Sequence, residues 1–262
     1  MNYTDIGFAK KDRTAIITLR RPESRNTVNA RMAMEVRDAC AELKQTAEIS
    51  VVIITGGENE FFCCGTDWDD AAELINEGRK DYEGIIRSFS AASAIGSLDQ
   101  VVIAAINGDS LGQGLELALA CDIRLAAPGA KFGFPGHGAE MFPFDGATQR
   151  LPRVVGRSKA LEFLLTGEVV DAAAALAVGL IHGIAGEGPV LEEAEEMAKK
   201  MASKAPLSLR FAKESVLKGM DLTLEQGLRL ESDLYYLLHT TEDRTEGISA
   251  FRQKRPPVFK GS

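Results

Sequence analysis

The sequence predicts a layered α/β fold, because strand-like and helix-like segments alternate along the first part of the chain. Three apolar, β-branched segments, residues 15–19, 51–55 and 101–106, are each followed by residues typical of turns. Residues 30–46 and 84–98 carry apolar residues near helical spacing, with charged residues on the other face. We expect buried strands in the apolar segments and ligand-binding groups at the turns that lead from strands into helices.

The last part of the chain has a different character, with helical patterns and no strand candidate. The helical patterns cover residues 191–205, 206–220 and 222–240. We therefore divide the chain into an α/β core of residues 1–195 and a helical region of residues 196–262. The final segment from Phe251, FRQKRPPVFKG, mixes aromatic residues, cations and prolines. It is expected to be extended, and either solvated or packed against a neighbouring subunit or a phosphate.

Composition indicates an ordinary globular protein. The chain has 262 residues, is 45% apolar and carries a net charge of −8 with acidic and basic residues interleaved. The charge pattern offers no basic stripe for nucleic acid, and no apolar run reaches the roughly 18 residues that would span a membrane. The first residues lack the layout of a signal peptide. We therefore expect a cytoplasmic protein without nucleic-acid or membrane partners.

The four cysteines, Cys40, Cys63, Cys64 and Cys121, show none of the spacings typical of zinc sites. We expect no metal site. Cys63 and Cys64 lie in an apolar segment and are expected to be buried, reduced thiols rather than nucleophiles.

Two glycine-rich turns could present free backbone N–H groups to a negative charge. The first turn, FFCCGTD, contains Gly65 and Thr66, and the second, NGDSLGQGLE, contains Gly112 and Gln113. A pair of fixed N–H groups can stabilise the oxyanion that forms at an acyl carbonyl. Each turn alone is a weak signal, because glycines often follow strands.

Glu116 is the most informative single residue, because it lies within an apolar helical segment that begins at Leu115 and ends at Cys121. Burial would raise its pKa and let it exchange protons with water or carbon. The alternative is a helix-end carboxylate that is neutralised by a cation.

The two turns and Glu116 belong to a longer series of short motifs. In chain order these are RPESRNTVN from Arg21, GTD from Gly65, NG from Asn107, GQGLELA from Gly112, CDIR from Cys121, KFG from Lys131, TQRLPR from Thr148, LTGE from Leu165, AVGLI from Ala177 and KRPPVF from Lys254. The series resembles the crotonase (enoyl-CoA hydratase/isomerase) superfamily over nearly the whole chain.

The resemblance implies a spiral of strand–strand–helix turns that holds an acyl-CoA site in residues 1–195. It implies that the helical region of residues 196–262 makes trimer contacts, and that two trimers commonly form a hexamer. The substrate would be a CoA thioester, and no separate cofactor would be needed.

The resemblance also implies roles for individual residues. The N–H groups of Thr66 and Gln113 would form the oxyanion hole, and Glu116 would be a catalytic acid/base. Arg25 and Asn26 would lie near the CoA moiety.

Other substrate-binding positions follow from the same pattern. Gly112 would lie at the oxyanion turn, and Gly136 at the site of a second catalytic group. Trp68 would shape the wall of the acyl pocket, although the start of an exposed helix explains it equally well.

The chain departs from the superfamily pattern at two positions. Typical hydratases carry a second glutamate where this sequence has Gly136, and Gln113 replaces a glycine. His137 and Asp145 are the candidates to compensate, since a His paired with an Asp is a competent base. The simpler alternatives are a solvated loop histidine and an Asp-Gly turn.

Addition of water to an enoyl-CoA, through Glu116 and Asp145, is the leading functional hypothesis. One alternative is double-bond migration or hydrolysis of a β-diketone, with His137 and Asp145 as the working pair. Another is a catalytically silent relative that binds CoA esters or proteins. The acyl group, and the choice between trimer and hexamer, stay open.

Overall fold

The computed structural model describes residues 3–76, 82–136 and 142–261 and places them in two β-sheets and a series of helices. The strands are β1 (Ile6–Lys11), β2 (Thr14–Leu19), β3 (Val51–Thr55), β4 (Phe61–Cys63), β5 (Val101–Ile106), β6 (Asp109–Leu111), β7 (Ile123–Ala126), β8 (Lys131–Gly133), β9 (Val169–Asp171) and β10 (Gly183–Ile184). The helices are α1 (Ala30–Lys44), α2 (Trp68–Asn76), α3 (Tyr82–Phe89), α4 (Ala92–Gly96), α5 (Gln113–Leu119), α6 (Ala147–Val155), α7 (Arg157–Thr166), α8 (Ala172–Ala177), α9 (Val190–Ala202), α10 (Pro206–Gly219), α11 (Leu224–Leu238) and α12 (Glu242–Gln253), with a short 3-10 helix at Pro22–Ser24.

From β3 to β8, successive strands alternate between the two sheets. In the described part of the chain, the larger sheet has the order β1-β2-β3-β5-β7-β10 and the smaller one β4-β6-β8-β9. The pairs β1–β2 and β8–β9 are antiparallel, and the other pairs are parallel. The chain runs from β3 to β4 to α2, from β5 to β6 to α5, and from β7 to β8 to α6. This repetition confirms the predicted α/β spiral of strand–strand–helix turns.

The larger sheet is covered on both faces, which explains the uninterrupted apolar segments of the sequence. On β3, Val52 and Ile54 belong to the main core cluster, to which α1 contributes. Val51 and Ile53 face the opposite way and belong to a second cluster with α9. A parallel strand that is buried on both faces needs apolar side chains at every position. The three predicted strands are therefore confirmed as β2, β3 and β5.

The single helix predicted over residues 84–98 is wrong. The structure has two helices there, α3 and α4, separated by Ser90 and Ala91. The carboxylate of Asp145 accepts hydrogen bonds from the Ser90 hydroxyl at 2.6 Å and from the N–H groups of Ala91 and Ala92 at 2.9 and 3.0 Å. These bonds satisfy the start of α4 from a residue that is distant in the sequence, so the local pattern could not show the break.

The helical end of the chain contains, within its described residues, one helix more than predicted. Helices α9, α10 and α11 agree with the prediction, whereas α12 was not predicted. The predicted boundary between residues 195 and 196 falls inside α9. Because Val190, Ala194 and Ala198 of α9 pack against the larger sheet, α9 belongs to the core and the boundary is corrected to its end.

The segment after α12 is bound to its own chain. Arg255 forms an ion pair with Glu246 at 2.6 Å, and the Asp243 carboxylate accepts hydrogen bonds from the N–H groups of Lys260 and Gly261. Contact of this tail with a neighbouring subunit or a phosphate stays a prediction.

Candidate active site

The turn after β4 leaves one N–H group without a protein acceptor. Thr66 forms a parallel bridge with Val28, in which the Val28 N–H donates to the Gly65 carbonyl at 2.8 Å and the Asp67 N–H donates to the Val28 carbonyl at 2.9 Å. In such a bridge, the N–H of the central residue points away from the partner strand. No acceptor for the Thr66 N–H lies among residues 3–76, 82–136 and 142–261. Gly65 permits this path because its φ of +115° is accessible to glycine.

The turn after β6 leaves a second such group. Gly112 has a φ of +52° and donates its N–H to the Gly133 carbonyl at 2.9 Å. Gln113 then begins α5, and the first N–H groups of a helix have no acceptor within it. The part of the chain that the structure describes provides no other acceptor for the Gln113 N–H.

The two turns pack directly against each other. A Cβ atom on Gly112 would lie 3.5 Å from the Cα of Gly65, and one on Gly114 would lie 2.0 Å from the Cys63 carbonyl oxygen. The hydroxyl of Thr66 donates to Oε1 of Gln113 at 2.8 Å. Two free N–H groups therefore belong to neighbouring residues, as an oxyanion hole requires.

Glu116 lies one helical turn after Gln113 and is 2% exposed. Its Oε1 accepts hydrogen bonds from the N–H groups of Asp145 at 3.0 Å and Ala147 at 2.9 Å. Burial raises the pKa of Glu116 to about 7; the Asp145 charge adds to the rise, and the two N–H groups and Arg150 oppose it. Oε2 has no hydrogen-bond partner in the described part of the chain. Glu116 can therefore gain or lose a proton near neutral pH, which agrees with the role expected from the sequence.

A cavity of about 350 Å³ joins these groups. Thr66, Gln113 and Glu116 line it, together with Gly112 and Gly136, which is exposed. The rest of the wall is mainly aromatic or proline, formed by Trp68, Phe134, Pro135, Phe142, Pro143 and Phe144.

The wall contains one predicted residue and several that the sequence interpretation missed. Trp68 is 43% exposed and makes an edge-to-face contact with Phe144 at 6.3 Å between ring centroids. Trp68 begins α2 and borders the cavity; its contact with an acyl group stays a prediction. Phe142 and Phe144 were missed; the only signal was an aromatic pair around Pro143 in a loop.

Asp145 does not occupy the position expected of a second proton-transfer group. It is 2% exposed and is not among the residues that line the cavity. Besides the three bonds to Ser90, Ala91 and Ala92, its carboxylate accepts one from Nε2 of Gln113 at 3.1 Å. With four donors around it, the carboxylate holds structure in place. The expected catalytic role of Asp145 is corrected to one of positioning.

Asn26 is also placed differently from the expectation. Its side chain is fully buried and donates to the carbonyl groups of Gly56, Phe61 and Phe62, so it ties loops together and cannot contact CoA. Arg25 is exposed, and its carbonyl accepts a hydrogen bond from the N–H of Cys64, which lines the cavity. His137 lies outside the described residues.

The thiols near the site are poor nucleophiles. Burial raises the pKa of Cys63 to about 12 and that of the half-buried Cys64 to about 11. Cys63 is buried as expected, whereas Cys64 is only partly so. The described residues contain neither a cluster of three or more metal-ligating side chains nor a helix with the length and apolar character needed to cross a bilayer.

The chain is similar to known proteins over nearly its whole length. Residues 9–262 match the model of the family described as "Enoyl-CoA hydratase/isomerase". The chain belongs to the enoyl-CoA hydratase/isomerase family. It is 38% identical over 263 residues to the 2,3-dehydroadipyl-CoA hydratase of Escherichia coli (strain K12), covering 98% of this chain and 99% of that protein. It is 32% identical over 256 residues to the short-chain-enoyl-CoA hydratase of Clostridium acetobutylicum, covering 97% of each.

A solved structure extends the comparison to the fold. The enoyl-CoA hydratase from Bacillus anthracis has a TM-score of 0.92 to this chain at 35% identity, and the match covers 99% of this chain and 100% of that one. The crotonase-type fold expected for this member of the enoyl-CoA hydratase/isomerase family is therefore confirmed.

Proposed function

We propose that the protein is an enoyl-CoA hydratase, which adds water across the C2–C3 double bond of a 2-enoyl-CoA thioester or removes it in reverse. The observation that carries this proposal is a carboxyl group with a pKa of about 7, Glu116, in the same cavity as the free N–H groups of Thr66 and Gln113. Relatives whose names describe hydratases of crotonyl-CoA, short-chain enoyl-CoA and 2,3-dehydroadipyl-CoA support it.

The N–H groups of Thr66 and Gln113 would bind the thioester carbonyl oxygen and stabilise the charge that builds there. Ionised Glu116 takes a proton from water while the water oxygen bonds to C3. The electron pair of the C2–C3 double bond moves toward the carbonyl to give an enolate. Protonated Glu116 then delivers its proton to C2 as the enolate collapses. One water is consumed: its hydroxyl group is added to C3 and its proton to C2, both from the side of Glu116.

This scheme needs a single carboxyl group that acts first as base and then as acid. A pKa near the working pH suits both steps. It also agrees with Gly136, which has no side chain at the position of the expected second glutamate. The burial of the Asp145 carboxylate among four donors supports a scheme with one working carboxyl group.

The CoA moiety and the assembly are further parts of the proposal. Arg25 is the cation that we propose for a CoA phosphate, since it is exposed beside the cavity. Self-association through the helical region is supported by its exposed apolar side chains, among them Val216, Met220, Leu224, Tyr236 and Phe251. Light scattering in solution will distinguish a monomer from a trimer or hexamer. A cytoplasmic location stays a prediction.

Mass spectrometry of CoA thioesters after incubation with the enzyme tests the reaction. The panel contains straight-chain, cyclic and aromatic 2-enoyl esters and β-keto esters, with Glu116→Gln as the site variant. Glu48→Gln, which changes an exposed carboxylate, is the matched control. We expect an enoyl ester to gain one water with the wild type and the control, and none with Glu116→Gln.

Other outcomes identify the alternatives. A product of unchanged mass that separates from the substrate by liquid chromatography before the mass spectrometer indicates isomerisation. Cleavage of β-keto esters alone indicates carbon–carbon hydrolysis. Binding of acyl-CoA without turnover of any ester indicates a binding protein.

A further inference from the structure

We infer that the side chain of Gln113 is a positioning residue, which sets the spacing between the two N–H groups of the oxyanion hole. This inference rests on the proposed hydratase function, because it assigns a device to that site. Gln113 is 3% exposed, and its side chain occupies a turn where the superfamily pattern has a glycine. A buried amide at this place therefore requires hydrogen-bond partners within the protein.

The orientation of the Gln113 amide is determined by its neighbours. Nε2 donates to the Phe89 carbonyl at 2.6 Å and to Oδ2 of Asp145 at 3.1 Å, and neither oxygen can donate in return. Oε1 accepts from the Thr66 hydroxyl at 2.8 Å. A rotated amide would place its oxygen against two acceptors, so only one orientation satisfies all three contacts.

The bond from Thr66 joins the same two residues whose backbone N–H groups form the hole. These residues are 47 positions apart in the chain, on turns that follow strands β4 and β6. Both donors must lie about 3 Å from one oxyanion, and a misplacement of about 1 Å can cost on the order of 100-fold in rate. The partly buried bond between the two side chains fixes the relative position that catalysis requires.

Asp145 anchors the amide on its other side. Its carboxylate binds Nε2 of Gln113 and also the start of α4, while the Phe89 carbonyl belongs to the end of α3. Through these bonds the position of the oxyanion hole is fixed relative to helices α3 and α4 as well as to the two turns. This gives Asp145 and Gln113 one shared task, and explains why a carboxylate is buried beside the site without lining it.

Isosteric variants separate this role from simple packing. Thr66→Val removes the hydroxyl but keeps the N–H of the hole, and Thr66→Ser keeps both. Gln113→Met keeps the size of the side chain and removes its hydrogen bonds. The probe is acetyl-CoA labelled with ¹³C at the carbonyl, observed by infrared difference spectroscopy, because the carbonyl frequency falls when the hole donates to it.

We expect the wild type and Thr66→Ser to lower the carbonyl frequency, and Thr66→Val and Gln113→Met to lower it much less. For a 2-enoyl-CoA that the wild type hydrates, both impaired variants should lose about tenfold in kcat with KM changed by less than about threefold. The double variant should be no slower than the slower single variant, since both single variants remove the same bond between Thr66 and Gln113.

The outcomes that overturn the inference are distinct from those that overturn the function. An unchanged carbonyl frequency and kcat in Thr66→Val, even with a lower Tm, would show that the bond only stabilises the fold. If Gln113→Met fails to fold, the pair Thr66→Val and Thr66→Ser decides the question alone. A wild type that shifts the carbonyl but hydrates no ester would defeat the hydratase function and leave the positioning role intact. A wild type that hydrates an ester but shows no carbonyl shift would overturn the positioning role and leave the hydratase function intact.

Discussion

The main-chain N–H of Asp145 donates to Oε1 of Glu116 at 3.0 Å, whereas the Asp145 carboxylate is bonded elsewhere. Asp145 therefore bonds to the acid/base group through its backbone only, while the charge of its carboxylate adds to the rise in the Glu116 pKa. With the N–H of Ala147 on the same oxygen, Oε1 is fixed, and Oε2 is left for chemistry. One carboxyl oxygen of Glu116 is therefore held by the backbone, and the other is available for proton transfer.

Stability should fall as the pH rises through the titration range of Glu116. The folded pKa is about 7, against 4.5 for the ordinary group. Below 4.5 both states hold the proton and Glu116 does not change the stability with pH. Between 4.5 and 7 the unfolded state releases the proton while the folded state keeps it, so stability falls, and the loss is complete above 7. At about 1.4 kcal/mol per pKa unit, the full effect is on the order of 3 kcal/mol.

Urea denaturation of the wild type and Glu116→Gln at about pH 5 and about pH 8 measures this effect. The variant cannot titrate, and its amide oxygen can still accept the two N–H bonds. Relative to the wild type, it should gain on the order of 2 kcal/mol between the two pH values. If the free energies of unfolding of the wild type and the variant differ by the same amount at both pH values, the pKa of Glu116 is not raised.

Asp145→Asn should lower stability more than it lowers activity. The amide NH2 group would turn toward the Ser90 hydroxyl, which can accept its hydrogen bond, and the neutral amide oxygen would bind the N–H groups of Ala91 and Ala92 more weakly than the carboxylate does, at a cost of about 1–3 kcal/mol. We expect kcat to fall by less than about tenfold, because the variant alters the positioning of Gln113 and lowers the Glu116 pKa but keeps the Glu116 carboxyl group. For Glu116→Gln, which removes that group, we expect a loss on the order of 100-fold or more.

Asp171→Asn is the matched control for Asp145, because Asp171 also caps a helix, accepting from the Ala174 N–H at 2.8 Å, but is exposed and does not line the cavity. It should change neither quantity appreciably. A loss of kcat in Asp145→Asn as large as that in Glu116→Gln would return Asp145 to a catalytic role.

The features that could be predicted from the sequence are those with a local cause. Strand β3 was predictable because burial on both faces demands apolar residues throughout, and Glu116 because an apolar helix surrounds it. The role of Asp145 was not predictable, because its capping partners lie 53 to 55 positions away. The position of Asn26 was not predictable for the same reason, since the carbonyl groups that accept hydrogen bonds from its amide lie 30 to 36 positions away.

Gly114→Ala should severely destabilise the protein. The added methyl group would lie 2.0 Å from the Cys63 carbonyl oxygen, and a backbone atom at the contact between two turns cannot move away easily. We expect a loss of about 3 kcal/mol or more, or failure to fold. Gly129→Ala is the control, because nothing lies within 4 Å of its added methyl group; it should stay within about 0.5 kcal/mol of the wild type. Similar melting temperatures for the two variants would contradict the close contact of the turns.

Trp68→Ala should raise KM by about tenfold with a much smaller change in kcat. Trp68 borders the cavity and contacts Phe144, but it has no polar contact with the groups that line the oxyanion turns. An apolar wall holds the acyl group equally well in the ground state and the transition state, and the loss of such uniform binding raises KM. Because the ring is 43% exposed, its removal should change the melting temperature little.

Steady-state hydration of a 2-enoyl-CoA that the wild type accepts provides the measurement, and Trp68→Phe provides the control. Phenylalanine can keep an edge contact with Phe144 and should recover most of the affinity. A fall in kcat at unchanged KM would instead mean that Trp68 acts on the transition state. Such an effect requires the ring to control the position of the thioester at the oxyanion hole. The pocket wall would then contribute to catalysis and not only to substrate binding.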